Sequence, residues 1–302
     1  MHKKQNELIT LLTDIMPGET SLTTSIKGLS LFRIERSFPR TPYSYNSEII
    51  ILAQGEKRAC LGNDVYTYDS SHYLVLPVPL PMDCEGRTEP GKPILGLTIT
   101  IDPIEVGEIL LDMGDSRQET QSLPRGIYGA PMNEALYDAT GRLLLAVADP
   151  QDKKVLAPMI KREIIYRVLQ GEKGEILQAL AHRNRRFFQI AKVLQKIHES
   201  YSNNFDIEKL AKEIDMSSST FHISFKAVTD TSPLQYIKNV RLHKARTLMI
   251  QDGLNVNIAA LQVGYESPSQ FNREYKRLFG VTPAKDVANL RGQHMVNLQA
   301  YA

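Results

Sequence analysis

The residues with the most chemical meaning in this 302-residue chain are its cations, and they are unevenly placed. From Arg183 to Ala302 there are 17 Lys and Arg against 10 Asp and Glu. The remainder carries 19 against 24, so a formal charge of only +2 conceals a basic C-terminal third joined to an acidic body. A segregated positive region suits an anionic polymer as partner. Catalytic chemistry is less well provided for. No nucleophile elbow, phosphate-binding glycine loop or His/Cys metal spacing occurs. The two cysteines, Cys60 and Cys84, are too few for a disulfide framework or an all-cysteine zinc site. With Lys57 and Arg58 close by, Cys60 would suit an oxidant-sensing thiol if exposed, but its strand-like surroundings favour simple burial.

The basic third contains one unit used twice, about 50 residues apart. Phe221 and Phe225 match Phe271 and Tyr275, Lys226 matches Lys276, and Val228 matches Leu278. Asp230-x-Ser232-Pro233 matches Gly280-x-Thr282-Pro283, and upstream Ala211-x-x-x-Asp215 matches Ala260-x-x-x-Gly264, one residue off that register.

Each unit reads as helix, sharp turn, helix. In the first, Asp206 caps a helix with Ile207, Leu210, Ala211 and Ile214 on its apolar face. Asp215 takes the turn, Ser217–Ser219 start the second helix, and Phe221, Phe225 and Val228 face inward. In the second, Ile258, Leu261 and Val263 are the apolar set and Gly264 turns the chain. Ser267 caps, and Phe271, Tyr275, Leu278 and Phe279 pack inward. A long helix opening at Ser232-Pro233 braces both units through Leu234, Ile237, Val240, Ala245 and Leu248. Arg241, inside that stripe, reads as a structural ion-pair residue. Two such units on one brace could enter successive major grooves about 34 Å apart on one side of a duplex.

The elements ahead of this repeat are of another kind. A short amphipathic helix with Leu8, Leu11, Leu12 and Ile15 precedes a polar stretch containing Pro39 and Pro42. Short strand-like runs follow at 48–53, 57–61, 64–69, 73–78 and 94–101, which argues for an antiparallel barrel or sandwich. Helices resume near 103, with Val106, Ile109 and Leu110 apolar, and dominate 132–182. The helix read at 155–170 places Pro158 in its first turn, where proline is tolerated. The expected architecture is α+β in two domains: residues 1–182 as a β-barrel with flanking helices and a helical linker, and 183–302 as an all-α double helix-turn-helix domain.

The phrases LAKEIDMSSSTFHISFKAVTDTSPLQYIKNVRLHKARTLM and IAALQVGYESPSQFNREYKRLFGVTP resemble the DNA-binding domain of the AraC/XylS family of bacterial regulators. ILAQGEKRACLGNDVYTYDSSHYLVLPVPLPM resembles the cupin-like N-terminal barrel of AraC-type regulators. The first resemblance implies groove-facing readers at Ser219, His222 and Ile223 in one recognition helix and at Ser269, Asn272 and Arg273 in the other. Ile223 departs from the polar residues common there and could touch a thymine methyl. The resemblance further implies double-stranded promoter or operator DNA as partner, an effector-sensing or dimerising barrel, an unknown small-molecule effector, and RNA polymerase as a candidate contact. The helix read at 155–170 could pair with its copy in a homodimer or pack against the barrel in a monomer.

No cofactor, no metal and no catalytic residue is expected. A metal-binding cupin needs several histidines, and this domain offers only His72 beyond His2. A small-molecule-binding or enzymatic barrel with a helical appendage, and a barrel that serves only as a dimerisation scaffold, remain as alternatives. No apolar run reaches about 18 residues. The N-terminus has no apolar stretch of signal-peptide length, so no membrane association and a cytoplasmic protein are expected.

Overall fold

A computed structural model describes residues 2–18, 21–114, 123–180 and 186–293. Helix α1 (His2–Ile15) leads into strands β1 (Ser21–Thr23), β2 (Leu29–Ile34), β3 (Phe38–Tyr45), β4 (Glu48–Gln54), β5 (Glu56–Leu61), β6 (Asp64–Tyr68), β7 (His72–Leu76), β8 (Leu80–Arg87) and β9 (Ile94–Thr100). Helix α2 (Pro103–Asp112) and strand β10 (Tyr128–Pro131) follow, then α3 (Glu134–Ala148), α4 (Asp152–Gln170) and α5 (Gly174–Gln178). The C-terminal part is helical throughout: α6 (Arg186–Glu199), α7 (Ile207–Glu213), α8 (Ser218–Thr229), α9 (Pro233–Ile250), α10 (Val256–Gln262), α11 (Pro268–Phe279) and α12 (Pro283–Gln293). The expected boundary at 182/183 lies outside the described residues.

The strands form two antiparallel sheets rather than one closed barrel. One has the order β1-β2-β9-β4-β7-β10 and the other β3-β8-β5-β6. The fold stays cupin-like, with the sheets face to face and α1, α3 and α4 layered outside the larger one. Central strand β4 is buried on both faces, which is why Ile49, Ile50, Ile51 and Leu52 run without alternation. Five of the strands match the expected runs. The polar stretch with Pro39 and Pro42 forms β3, an edge strand with a register shift between Phe38 and Thr41, and edges and bulges are places where a sheet tolerates missing N–H groups. Strand β8 carries period-2 alternation through Leu80, Met82 and Cys84, obscured in sequence by Pro77, Pro79 and Pro81.

The helix read at 155–170 begins three residues earlier, so Pro158 sits inside α4 rather than in its first turn. Cys60 and Cys84 are both buried and free. Cys60 is paired with Asp83 and Cys84 with Ala59, so the two thiols point to opposite faces of one sheet. They cannot form an internal disulfide without unpairing β5 from β8.

The hydrophobic interior divides unexpectedly. One continuous cluster runs from the sheets through Leu210, Phe221, Phe225 and Tyr236 to Val240. A separate cluster holds Leu242, Ala245, Met249, Ala259, Ala260, Val263, Phe271 and Tyr275. The first helix-turn-helix unit thus shares its core with the sheet domain, and the second has its own.

Candidate nucleic-acid interface

The two repeated units are built by the same local chemistry. The Asp206 carboxylate accepts the Glu208 and Lys209 amides at 2.9 and 3.2 Å and starts α7. Asn255 does the same for α10, accepting the Ile258 amide at 2.9 Å. Asp215 (φ 54°) and Gly264 (φ 85°) make the turns in the left-handed region. After each turn the next amide reaches back to the same carbonyl, Met216 to Ala211 and Tyr265 to Ala260, both at 3.0 Å. Ser217 and Ser267 then cap α8 and α11. Two residues separate Gly264 from its serine cap where one separates Asp215 from its own. Glu266 is therefore the extra residue behind the one-residue slip in the repeat.

The buried faces of the second helices are Phe221, Phe225 and Val228 in α8 and Phe271 and Tyr275 in α11. Leu278 and Phe279 are only partly buried. In α10 the buried residues are Ala259 and Ala260, while Ile258 and Leu261 are exposed, contrary to the apolar stripe expected there. Small alanines at the crossing let α10 approach α9 and turn the larger side chains outward. In α9, Leu234 is exposed and Tyr236, Leu242, His243 and Met249 are buried in addition to Ile237, Val240 and Ala245. The brace is enclosed on more sides than a two-unit scaffold requires, because the smaller sheet covers it as well.

Each reader implied by the resemblance can now be placed. Ser219, His222 and Ile223 lie exposed on α8, together with Lys226. Ser269 and Arg273 lie exposed on α11, together with Gln270, Lys276 and Arg277. Asn272 is half-buried, and its amide donates to the Pro268 carbonyl at 2.9 Å, inside its own first turn. Arg273 makes no hydrogen bond or ion pair among the described residues. Lys226 and Lys276, at equivalent repeat positions, add a cation to the exposed face of each helix. Their recurrence was the signal for them.

Arg241 is structural but is not an ion-pair residue. Its guanidinium donates to three main-chain carbonyls, Tyr201 at 2.8 Å, Asn203 at 2.7 Å and Gly264 at 3.2 Å. It thereby ties the end of α6 to the second turn, with burial lowering its pKa. Glu274 fixes α11 on the brace, accepting from Lys238 at 2.7 Å, Tyr265 at 2.7 Å and Gln270 at 3.2 Å. Burial raises its pKa, but these hydrogen bonds outweigh burial and hold it below the ordinary carboxylate value. Arg246 and the Tyr275 hydroxyl both reach Asp286, at 2.8 and 2.7 Å, joining α9, α11 and α12.

The sheet domain meets both second helices at their C-terminal ends. At the end of α8 the Asp230 carboxylate accepts from Arg125 at 2.7 Å, and the Gly126 amide donates to the Val228 carbonyl at 3.0 Å. Gly62 packs so closely on Asp230 that a Cβ there would lie 1.8 Å from its carboxylate oxygen. At the end of α11, Leu278 shares with Arg40, Cys60, Asp83 and His243 the lining of a cavity of about 290 Å³. Arg125 and Asp230 carry no signal in sequence, because their partnership spans 105 residues. Among the described residues, Ser218, Ser219, His222 and Ile223 of α8 and Ser269 and Gln270 of α11 are exposed.

Two capped, turn-linked helix pairs on one brace, each with an exposed cation-bearing second helix, define a tandem helix-turn-helix DNA-binding protein. Residues 25–176 match the family profile described as AraC-type transcriptional regulator N-terminus, and residues 210–288 match a helix-turn-helix domain profile. The chain belongs to the family of AraC-type transcriptional regulators. It is 24% identical over 243 residues to the thermoregulatory protein LcrF of Yersinia pestis, covering 78% of this chain and 87% of that one. It is 29% identical over 266 residues to the virulence regulon transcriptional activator VirF of Yersinia enterocolitica serotype O:8, covering 85% and 96%. The fold resembles that of unsaturated fatty acid-bound ToxT from Vibrio cholerae, with a TM-score of 0.58, 13% identity, and coverage of 91% and 98%.

Proposed function

We propose that this regulator reads promoter DNA with the N-terminal halves of α8 and α11 set into successive major grooves. The supporting observation is that both helices turn their C-terminal ends to the smaller sheet and leave their capped N-terminal halves exposed. Ser219, His222 and Ile223 form one reading face, with Ile223 suited to a thymine methyl. Ser269, Asn272 and Arg273 form the other, where Arg273 is the residue equipped for bidentate contact with guanine. Lys226, Lys276 and Arg277 are placed for phosphates.

Footprinting on DNA upstream of neighbouring genes tests this reading. Two protected major-groove segments one helical turn apart are expected, with affinity falling steeply as salt rises. Protection confined to one segment, or binding indifferent to salt, would contradict it.

Residues 1–182 serve in this reading as a sensing and pairing module for the DNA-binding part at 183–302. The likeness to a fold that holds a fatty acid in ToxT supports a small-molecule effector. Exposed apolar side chains, Ile104 and Leu111 on α2 and Val155 and Met159 on α4, support a homodimer. Ile104 and Leu111, at i and i+7, share one side of α2, and Val155 and Met159, at i and i+4, share one side of α4. Sedimentation of the intact protein at micromolar concentration should give twice the monomer mass, and Met159→Glu should return it to a monomer. The activator names of the relatives favour contact with RNA polymerase over simple occlusion. Among the described residues no helix is long and apolar enough to cross a membrane, in keeping with a cytoplasmic regulator. Regulation rather than turnover is the activity proposed for the sheet domain.

A further inference from the structure

The interior between the two sheets contains a cation with no acceptor. Lys57 of β5 is paired with Tyr68 on one side and Gly86 on the other, and points inward. Its ammonium lies 5.2 Å from the centroid of the Phe32 ring, 5.9 Å from those of Tyr43 and Tyr45, and 5.8 Å from that of Tyr68. Ring faces attract a cation but accept none of its three N–H groups in strong hydrogen bonds. Among the described residues Lys57 has no hydrogen-bond partner and no carboxylate within 4 Å. An ammonium left so in a low-dielectric interior is costly.

Across the interior stands an acid without an ion-pair partner, Glu48, whose carboxyl takes a backbone hydrogen bond from Asn46. Glu48 opens β4, and strand alternation turns it to the same side as Ile50 and Leu52. Leu52 is opposite Gly96, which packs on the Phe32 ring, so this side faces the interior. Glu48 makes no ion pair, although it and Lys57 feel each other's charge. Two opposite charges thus occupy one enclosed space without touching.

These residues keep a little accessible surface where their neighbours keep none. Lys57 keeps 7%, Glu48 8% and Phe32 7% exposure, whereas the adjacent Tyr45, Tyr68 and Leu52 keep 0%. Among these, the residual surface is confined to the two charged groups and the ring beside Lys57.

We propose that this space is a binding site for a small organic acid that also bears a hydrogen-bond donor. Its carboxylate is received by Lys57, its hydroxyl or ammonium by Glu48, and its body by the rings of Phe32 and Tyr43. A simple anion would satisfy Lys57 and be repelled by Glu48. A cation would do the reverse, and an apolar molecule would leave both groups unmet. Only a ligand with both functions completes the set. The inference rests on the small-molecule reading above and names the chemistry of the effector.

The test uses the full-length protein, with thermal unfolding and calorimetry against three panels at millimolar concentration. The first contains amino acids and hydroxy acids. The second contains their amides and the acids lacking a donor, such as butyrate and benzoate. The third contains neutral sugars, alcohols and long-chain fatty acids. A member of the first panel should raise the unfolding midpoint, with its second-panel counterparts at least about tenfold weaker.

Lys57→Met should abolish that rise, and Lys57→Arg should keep part of it. Glu48→Gln should weaken amino acids more than hydroxy acids. Operator binding by each variant reports that it is folded, and the Lys57→Met/Glu48→Gln double variant, free of both buried charges, repeats the test should the single one unfold. The site is refuted if no first-panel acid shifts unfolding, if donor-free acids or amides bind equally, or if the shift survives in Lys57→Met. Response to the third panel alone would sustain small-molecule sensing and overturn this ligand class. Silence to all three would remove both.

Discussion

Among the six proposed reader positions, Arg273 and Asn272 are in different states in the free protein. Arg273 is exposed and unengaged, whereas the Asn272 amide is already spent on the Pro268 carbonyl. Arg273→Ala should therefore cost on the order of 1–3 kcal/mol of operator affinity and blur one base position, measured by binding to single-base operator variants. An equal loss on every sequence would assign Arg273 to phosphate. Asn272→Ala should cost less than Arg273→Ala in the same assay, because its amide must first leave a bond it already has.

The reader positions came from the family resemblance; what the repeat itself made legible is the buried side of each second helix, Phe221 and Phe225 in α8 and Phe271 and Tyr275 in α11. Arg241 shows the limit of that logic. Its place in an apolar stripe disclosed a structural role, but not that three carbonyls rather than a carboxylate would receive it. Main-chain acceptors have no sequence signature.

The two turns, although equivalent, are occupied by residues of different fitness. Gly264 cannot be replaced: a Cβ there would meet the Ser202 carbonyl oxygen at 2.4 Å, and its φ of 85° disfavours any side chain. Asp215, at φ 54°, carries a side chain in the same region. Gly264→Ala should lower stability by roughly 2 kcal/mol or more, and Asp215→Gly should be neutral or stabilising by up to about 1 kcal/mol, read from denaturant unfolding. Equal effects would mean that the turns are not equivalent.

At this scale the helices were easier to read than the strands. Caps such as Asp206, Ser217, Ser232 and Ser267 are local and act through their own next turn. Strands β3 and β8 are held by partners across the sheet; the prolines of β3 sit on an edge strand, whereas β8 is internal and carries Pro81 opposite Ser44 of that edge. The exposed Ile258 and Leu261 illustrate the reverse error. Helical spacing told which residues could share a face, but the close crossing of Ala259 and Ala260 decided which face went inward.

For the whole molecule, buried histidines near the brace set a pH dependence. Burial, with Lys244 nearby, lowers His198 to about 4, and burial with Arg246 and His198 lowers His243 to about 3. Both stay neutral in the folded chain while the unfolded chain takes up protons below 6.5. Their contribution is complete above that pH and is lost as pH falls toward 4. Glu48, raised by burial to about 7 against the lowering charge of Lys57, has the opposite sign. Its contribution is present below 4.5 and lost as pH rises toward 7. Between 4.5 and 6.5 two histidines oppose one carboxyl, so stability should fall on acidification by about 1.4 kcal/mol per pH unit. Unfolding midpoints across that range check it, and a flat profile would contradict it.

The division of the hydrophobic interior between Val240 and Leu242 has a mechanical consequence. The seam lies within a continuous helix, far from the 182/183 boundary that composition suggested. A fragment starting at residue 183 should keep the second unit ordered and loosen the first, visible as faster amide exchange in Phe221–Val228 than in Phe271–Leu278. In the intact protein a distortion of the sheets reaches the first unit through its shared core, and the second through the contacts of α9 and α11 with β3 and through torsion of the brace. Such torsion alters phase along the duplex, so operators with one base pair inserted between the two contacted clusters would reveal which spacing each state of the sensor prefers.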